Sequence, residues 1–195
     1  MVFVRALLLT LSASLILSLN AFAAPLPELL EELRDSGVNY EIVGTVCEQV
    51  ARIELYKTYP ASEYEIVNGI EYGDNTRTIG ELDVVVFKKS TKQAVLVGEV
   101  KCWKDLSAAR QKAMDQRQRF IKSLGKNIEL HTEDASFNKS QFKGVQKFVA
   151  IAPQGSKAAG FELEMENSLH ELMELRRMML QCQNDGQCAA AERGH

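Results

Sequence analysis

GELDVVVFKKSTKQAVLVGEVKCW, residues 80–103, contains two apolar runs joined by a short polar link. Runs this rich in valine read as inner strands of a sheet, and the Lys-Lys-Ser-Thr-Lys-Gln link makes them a hairpin. Yet Asp83 interrupts the first run, Glu99 and Lys101 interrupt the second, and Glu81 stands just before the first. Buried carboxylates and ammonium groups are costly unless they are paired or hold a ligand. Residues two apart on a strand share a face, so Glu99 and Lys101 point the same way. Glu81 and Asp83 likewise share a face, opposite Leu82, Val84 and Val86. A register that sets Asp83 near Glu99 brings two carboxylates and a lysine to one edge of the sheet.

Close like charges raise each other's pKa, and a divalent cation relieves that strain. Hard oxygen ligands with room for water and phosphate oxygens suit Mg²⁺ or Mn²⁺. A nearby lysine can orient or deprotonate a water, or stabilise charge on a pentavalent phosphate. Glu48 lies in the helix before the strands, near Gly44, Ala51 and Leu55 on a helical repeat, and is expected to turn inward. Farther along, Gln116 and Phe120 share one face of a basic helix.

Around these residues the pattern predicts short helices or strands in a fixed order. Residues 26–35 and 40–59 read as helices, the second stopping before Pro60. Residues 64–67 and 70–72 read as strands around an Asn68-Gly69 turn signal, followed by strands over 82–87 and 94–102. A helix over 107–124 closes at Gly125, residues 127–144 form a loop with a short strand, 145–151 form another strand, and 161–182 form an amphipathic helix. Met165, Leu169, Leu172, Arg176 and Met179 lie along one stripe of that last helix as core packing. The order gives an α/β fold, a central mixed sheet flanked by helices, with meandering first strands and a helical crossover to the last.

The first 23 residues are read separately. Arg5 precedes an apolar stretch over 6–19, and Ala21 and Ala23 form the small-x-small pattern of a secretory cleavage site. That stretch is short of the roughly 20 residues a membrane span needs. The expectation is a signal peptide over 1–23, a helical lead-in over 24–39, one domain over 40–182 and a flexible tail over 183–195. Periplasmic or secreted localisation follows, with no stable membrane span after cleavage. Charge is unevenly spread along the 195 residues: positions 88–126 hold 11 basic and 3 acidic side chains, while 24–87 hold 4 and 13. A basic patch on an acidic body fits a surface that tracks phosphates, and equally a solvated helix face. Cys182 and Cys188 bracket a turn-prone Gln-Asn-Asp-Gly-Gln stretch and are disulfide candidates in an exported protein. Cys47 and Cys102 are either a second bridge, clamping Glu48 onto the sheet, or two buried thiols. No C-x-x-C occurs, and the histidines are too scattered for a zinc site.

Gly44-x-x-x-Glu48-x-x-Ala51, Gly80-Glu81-Leu82-Asp83, Glu99-Val100-Lys101 and Gln116-x-x-x-Phe120 together resemble the PD-(D/E)xK nuclease superfamily, in the flavour of small proteins related to Holliday-junction resolvases and of RecB-like nucleases. The match covers residues 40–152, with Leu82 where the superfamily's name has proline. The resemblance implies a restriction-endonuclease-like αβββαβ core. It also implies that Asp83, Glu99 and the carbonyl of Val100 bind Mg²⁺ (or Mn²⁺), that Glu48 assists, and that Lys101 serves the attacking water, with Gln116 completing the catalytic set. Nucleic acid, DNA ahead of RNA, is the implied partner. Lys104, Arg110, Lys112, Arg117 and Arg119 are the candidates to meet its backbone, with Trp103 a rim, core or base-stacking residue. Assembly as a homodimer stays open. Two other readings stand beside the nuclease: a non-catalytic nucleic-acid- or protein-binding module on the same fold, and a structural secreted domain in which the motifs are coincidence.

Overall fold

In the computed structural model, which describes residues 25–74 and 76–191, the chain begins with α1 (Leu26–Leu33) and α2 (Thr45–Thr58). Three long strands follow, β1 (Tyr64–Asp74), β2 (Arg77–Lys88) and β3 (Gln93–Val100), and then α3 (Leu106–Leu124). Short strands β4 (Glu129–His131) and β5 (Ser136–Phe137) precede β6 (Lys147–Ala152), β7 (Leu163–Glu164) and α4 (Leu169–Asn184). The signal peptide expected over 1–23 lies outside the described residues.

One seven-stranded sheet has the order β5-β4-β1-β2-β3-β6-β7. β1, β2 and β3 meander antiparallel, whereas β6 lies parallel to β3, reached through α3. The sheet is therefore mixed and is covered on both faces. Val84, Val86 and Val100 pack with α1, α2 and α4 on one side. Val85, Phe87 and Val97 pack on the other side with Phe120 of α3. Phe120 meets Tyr72 and Phe142 edge-on, with ring centres 5.1 and 5.5 Å away. Alanines at 109, 113, 150 and 152 let α3 approach β6 closely.

Several expectations give way to tertiary pairing. The Asn68-Gly69 signal does not turn the chain: β1 runs through it, because residues on both sides pair with β2. The turn falls at Asp74, whose carboxylate accepts from the backbone N–H groups of Thr76 and Arg77 at 2.9 and 3.2 Å. Gly69 instead sits at φ +69° inside the strand, a conformation that suits glycine. It stands between the Asn68–Val84 and Ile70–Leu82 pairs, across from Asp83. There the alternation of faces breaks, since Leu82 packs with Val85 and Phe87 rather than with Val84 and Val86.

The last helix also starts later than its periodicity predicts. Residues 163–164 pair with β6 as a strand, and Ser168 then caps α4 in a reciprocal arrangement with Glu171. Residues 183–191 are not a loose tail. Cys188 is buried and bonded to Cys182, and Ala189 donates its N–H to the carbonyl of Arg34 at 2.9 Å. Gln183 reaches the Val38 and Ala189 carbonyls, so the lead-in and the C-terminal segment are stitched together. Among the described residues no helix is long and apolar enough to cross a membrane.

Cys47 of α2 and Cys102, just past β3, form the second disulfide, with Cα atoms 6.1 Å apart and a sequence separation of 55. Chain-entropy arithmetic predicts that opening this long loop costs about 4 kcal/mol, against about 2 kcal/mol for the short Cys182–Cys188 loop. Urea unfolding of the Cys47→Ser/Cys102→Ser double variant should therefore show the larger loss of the two serine pairs.

Candidate active site

Strand pairing sets the site. The Val84–Gly98 pair is the last rung of the β2–β3 ladder, and one step beyond it Asp83 faces Glu99. Here the strands part, and the Asp83 side chain takes over the backbone's role. Its Oδ2 accepts the N–H of Val100 at 2.6 Å. Gly98 permits this closeness, because a Cβ there would stand 2.7 Å from Val84 Cγ1. On the opposite flank the N–H of Lys101 donates to Ile151 of β6 at 2.9 Å, so the end of β3 is held from both sides.

Lys101 turns back over this junction. Its Nζ lies 2.9 Å from Asp83 Oδ2, 2.9 Å from the Val100 carbonyl and 3.6 Å from Glu99 Oε2. All three side chains are buried, with Asp83 7 %, Glu99 2 % and Lys101 7 % exposed. Neither oxygen of Glu99 accepts a hydrogen bond. Burial, reinforced by the charge of Asp83, pushes the Glu99 carboxyl up to about 8, while Lys101 pulls it back.

Glu48 enters from the first turn of α2, partly buried, and lines the same cleft. Burial first, then the charges of Asp83 and Glu81, raise its carboxyl to about 7, with Lys101 opposing. Two local features aim it. Gly44 caps the helix, and any Cβ at that position would come within 3.1 Å of Glu48 Oε1. Asn68 Nδ2 donates to the Glu48 carbonyl at 3.0 Å, pinning α2 to β1. The positioning role of Asn68 was not anticipated, since Asn-Gly reads first as a turn. Its one signal is a polar amide in the middle of an apolar strand.

The cleft over this cluster encloses about 260 Å³ and is also lined by Lys112 and Gln116 of α3 and by Val43, Cys102 and Trp103. Gln116 Oε1 is buried without a partner. Cavities of about 680 and 480 Å³ lie elsewhere, beside residues 127–139 and between α2 and β6, and contain none of these groups. The basic residues divide between two faces of α3. Lys112 reaches the cleft and Lys104 stands exposed beside Trp103. Arg119 is exposed and close enough to influence the Tyr72 hydroxyl. Arg110 and Arg117, expected on a phosphate path, are engaged away from the cleft: Arg110 Nε donates to Gly160 at 2.8 Å, and Arg117 pairs with Glu162 at 3.1 Å. Helical spacing decides this, because positions 110 and 117 share a face that 112 and 116 do not.

Among the described residues no three His, Cys, Asp or Glu side chains stand together as a metal-holding group. What the cluster does contain is two adjacent buried carboxylates, one with neither oxygen hydrogen-bonded, beside a backbone carbonyl. That donor set suits a hard cation.

Comparison with known proteins adds little. No family model matches the chain, and no curated protein matches it. Among solved structures it is similar to the type IIG restriction endonuclease BpuSI at 16% identity, with a TM-score of 0.28 over 87% of this chain and 19% of that one. The chain thus spans about a fifth of that enzyme. A likeness this distant carries no weight for fold or function.

Raised carboxyls set a pH dependence with a definite sign. Below their ordinary 4.5 both glutamates are protonated whether folded or not, and between 4.5 and about 8 the folded chain keeps protons that the unfolded chain has lost. Without divalent cations, the unfolding midpoint should fall as pH rises from 5 to 8. Glu99→Gln should flatten that fall, and a midpoint that climbs across the window would contradict the assignment.

Proposed function

We propose that the protein is an exported, metal-dependent nuclease that hydrolyses phosphodiester bonds of nucleic acid, DNA ahead of RNA. The reading rests on one observation: Asp83 and Glu99 lie side by side, buried, with Lys101 among their oxygens and neither Glu99 oxygen hydrogen-bonded. As a stability device this is poor, since a buried ion network is matched or bettered by apolar residues of the same size. Supporting it are the four motif segments whose residues line or underlie one cleft, and the run α2, β1, β2, β3, α3, β6, which we read as the restriction-endonuclease-like αβββαβ core. Two disulfides and the apolar leader support export to an oxidising compartment.

Asp83, Glu99 and the Val100 carbonyl would hold Mg²⁺ or Mn²⁺, with Glu48 assisting at the cleft wall. Such an ion supplies Lewis-acid activation of the scissile phosphate and of water. The rest of the work falls to the chain's own groups. Lys101 donates to the oxygens around it and can orient a water against the phosphate or meet the charge developing there. Gln116 offers an unpaired amide oxygen as a hydrogen-bond acceptor at the opposite wall. Lys112 brings a cation to the rim, where a phosphate backbone would pass.

A second reading is a non-catalytic nucleic-acid- or protein-binding module on the same fold. It is favoured by the Lys101–Asp83 ion pair at 2.9 Å, which compensates that carboxylate from within the chain. Calorimetric titration separates the two, because Mg²⁺ or Mn²⁺ binding that Asp83→Ala abolishes belongs only to the first. The enzyme reading also predicts a gel. Chain lacking residues 1–23 should cut at least one of plasmid, linear DNA, single strands and RNA in Mg²⁺ or Mn²⁺, and none of them in EDTA. Lys101→Ala should be less stable, since it leaves two buried carboxylates uncompensated, and where circular dichroism shows it folded it should lose about 10²- to 10⁴-fold in rate, the usual worth of one such group. Equal cutting by the variant, or none by the parent chain on plasmid, linear DNA, single strands or RNA, removes the proposal.

A further inference from the structure

The mouth of the cleft has a character that a phosphate path does not require. Trp103 and Val43 line it and are 45% and 49% exposed, and Ile42, next to Val43 in the chain, is 62% exposed. These are three of the four large apolar side chains that stand exposed among the described residues. Singly, such residues mean little, but here two of them line one opening over a buried charge cluster, and the third is next to Val43 in the chain. Trp103 is placed there by its own backbone, two residues after Lys101 and one after the bridged Cys102. Its ring is exposed rather than packed into the core and, among the described residues, is stacked on no other aromatic side chain.

Resting on the nuclease reading above, we infer that the substrate is a single strand, or an unpaired end, whose base stacks on Trp103 while its phosphate enters toward Lys101. Three observations choose this over a duplex. A duplex keeps its base faces stacked inside, so Trp103 and Val43 would meet only its polar exterior. A single strand offers a π-face at every step. Trp103 lines the same cleft of about 260 Å³ as Asp83 and Lys101, which puts an aromatic face and the charge cluster in one opening. Of the basic side chains near it, Lys112 lines the cleft and Lys104 follows Trp103 in the chain, while Arg117 pairs with Glu162 and Arg110 donates to the Gly160 carbonyl on another face of α3. Strong duplex binding typically neutralises about 6 to 10 phosphates, whereas a stacked single strand needs fewer, because the ring supplies part of the affinity.

Trp103 is the single tryptophan of the chain, so its fluorescence reports on this mouth alone. The experiment titrates the chain lacking residues 1–23, in EDTA so that nothing is cut, with three probes: a short oligothymidylate, an abasic oligomer of equal length, and a hairpin duplex. The expected result is saturable quenching by oligothymidylate and far weaker quenching by the other two. Labelled oligothymidylate followed by anisotropy should bind Trp103→Ala roughly 5- to 150-fold more weakly, the loss of one stacked base, and Trp103→Phe close to the parent chain. Equal quenching by the abasic oligomer, tighter binding of the duplex, or unchanged affinity of Trp103→Ala overturns the inference. The two readings also fail separately. Quenching without Mg²⁺-dependent cleavage upholds the stacking site and removes the nuclease, while cleavage without quenching removes the stacking site alone.

Discussion

A single ammonium group held among three oxygens governs this molecule's working end. Lys101 Nζ bridges Asp83, the Val100 carbonyl and Glu99 at a depth where none of the charges could stand alone. The arrangement demands that two strands stop pairing at one rung, that a carboxylate accept the next backbone N–H in the missing strand's place, and that a third strand hold Lys101 from the other side. Each demand is met by a specific residue: Asp83, Gly98 and the parallel neighbour β6. One carboxylate remains underserved even so. Glu99 has an ion-pair contact at 3.6 Å and no hydrogen bond, which is why burial leaves it so reluctant to ionise.

The first turn of α2 is fitted to that cluster from outside. It is tied by Asn68 to β1, by the Cys47–Cys102 bond to the end of β3, and by the absence of a side chain at Gly44 that would crowd Glu48. Three attachments of different chemistry converge on one helical turn, and the residue they place is a glutamate pushed up to about 7. Across the cleft α3 contributes through a narrow stripe only. Lys112 and Gln116 face inward, and the arginines one face away are drawn to Glu162 and Gly160, where they fasten the helix to the β6–β7 side. The basic segment thus performs two tasks, and only part of its charge is available to a ligand.

Most of the frame is legible in the linear pattern. Valine-rich runs placed β2 and β3, helical spacing placed α2 and α3, and the spacing of Asp83, Glu99 and Lys101 located the cluster before any fold was known. The failures share one cause. Asn68-Gly69 is a turn signal locally, but the strand register extends through it and uses the glycine as a kink. Residues 161–168 continue a helical periodicity, yet Leu163 and Glu164 have an open edge of β6 to pair with. Residues 183–191 are polar and small, as tails are, and are nonetheless held by a disulfide and by Arg34, more than a hundred positions away. In each case a long-range partner outweighed a local preference.

What the sequence determined by itself is the chemistry: which residue types are present, on which kinds of element, and at what spacing along each strand and helix. Periods of two and of 3.6 residues are local properties, and they are readable without knowing what an element packs against. Tertiary structure alone decided direction. It set which face of α3 looks into the cleft, which arginines are spent elsewhere, whether Cys47 meets Cys102, and how deeply Glu99 is buried. Those outcomes depend on register, crossover and helix rotation, each fixed by the sum of many contacts distant in the chain. No short stretch carries enough information to fix them.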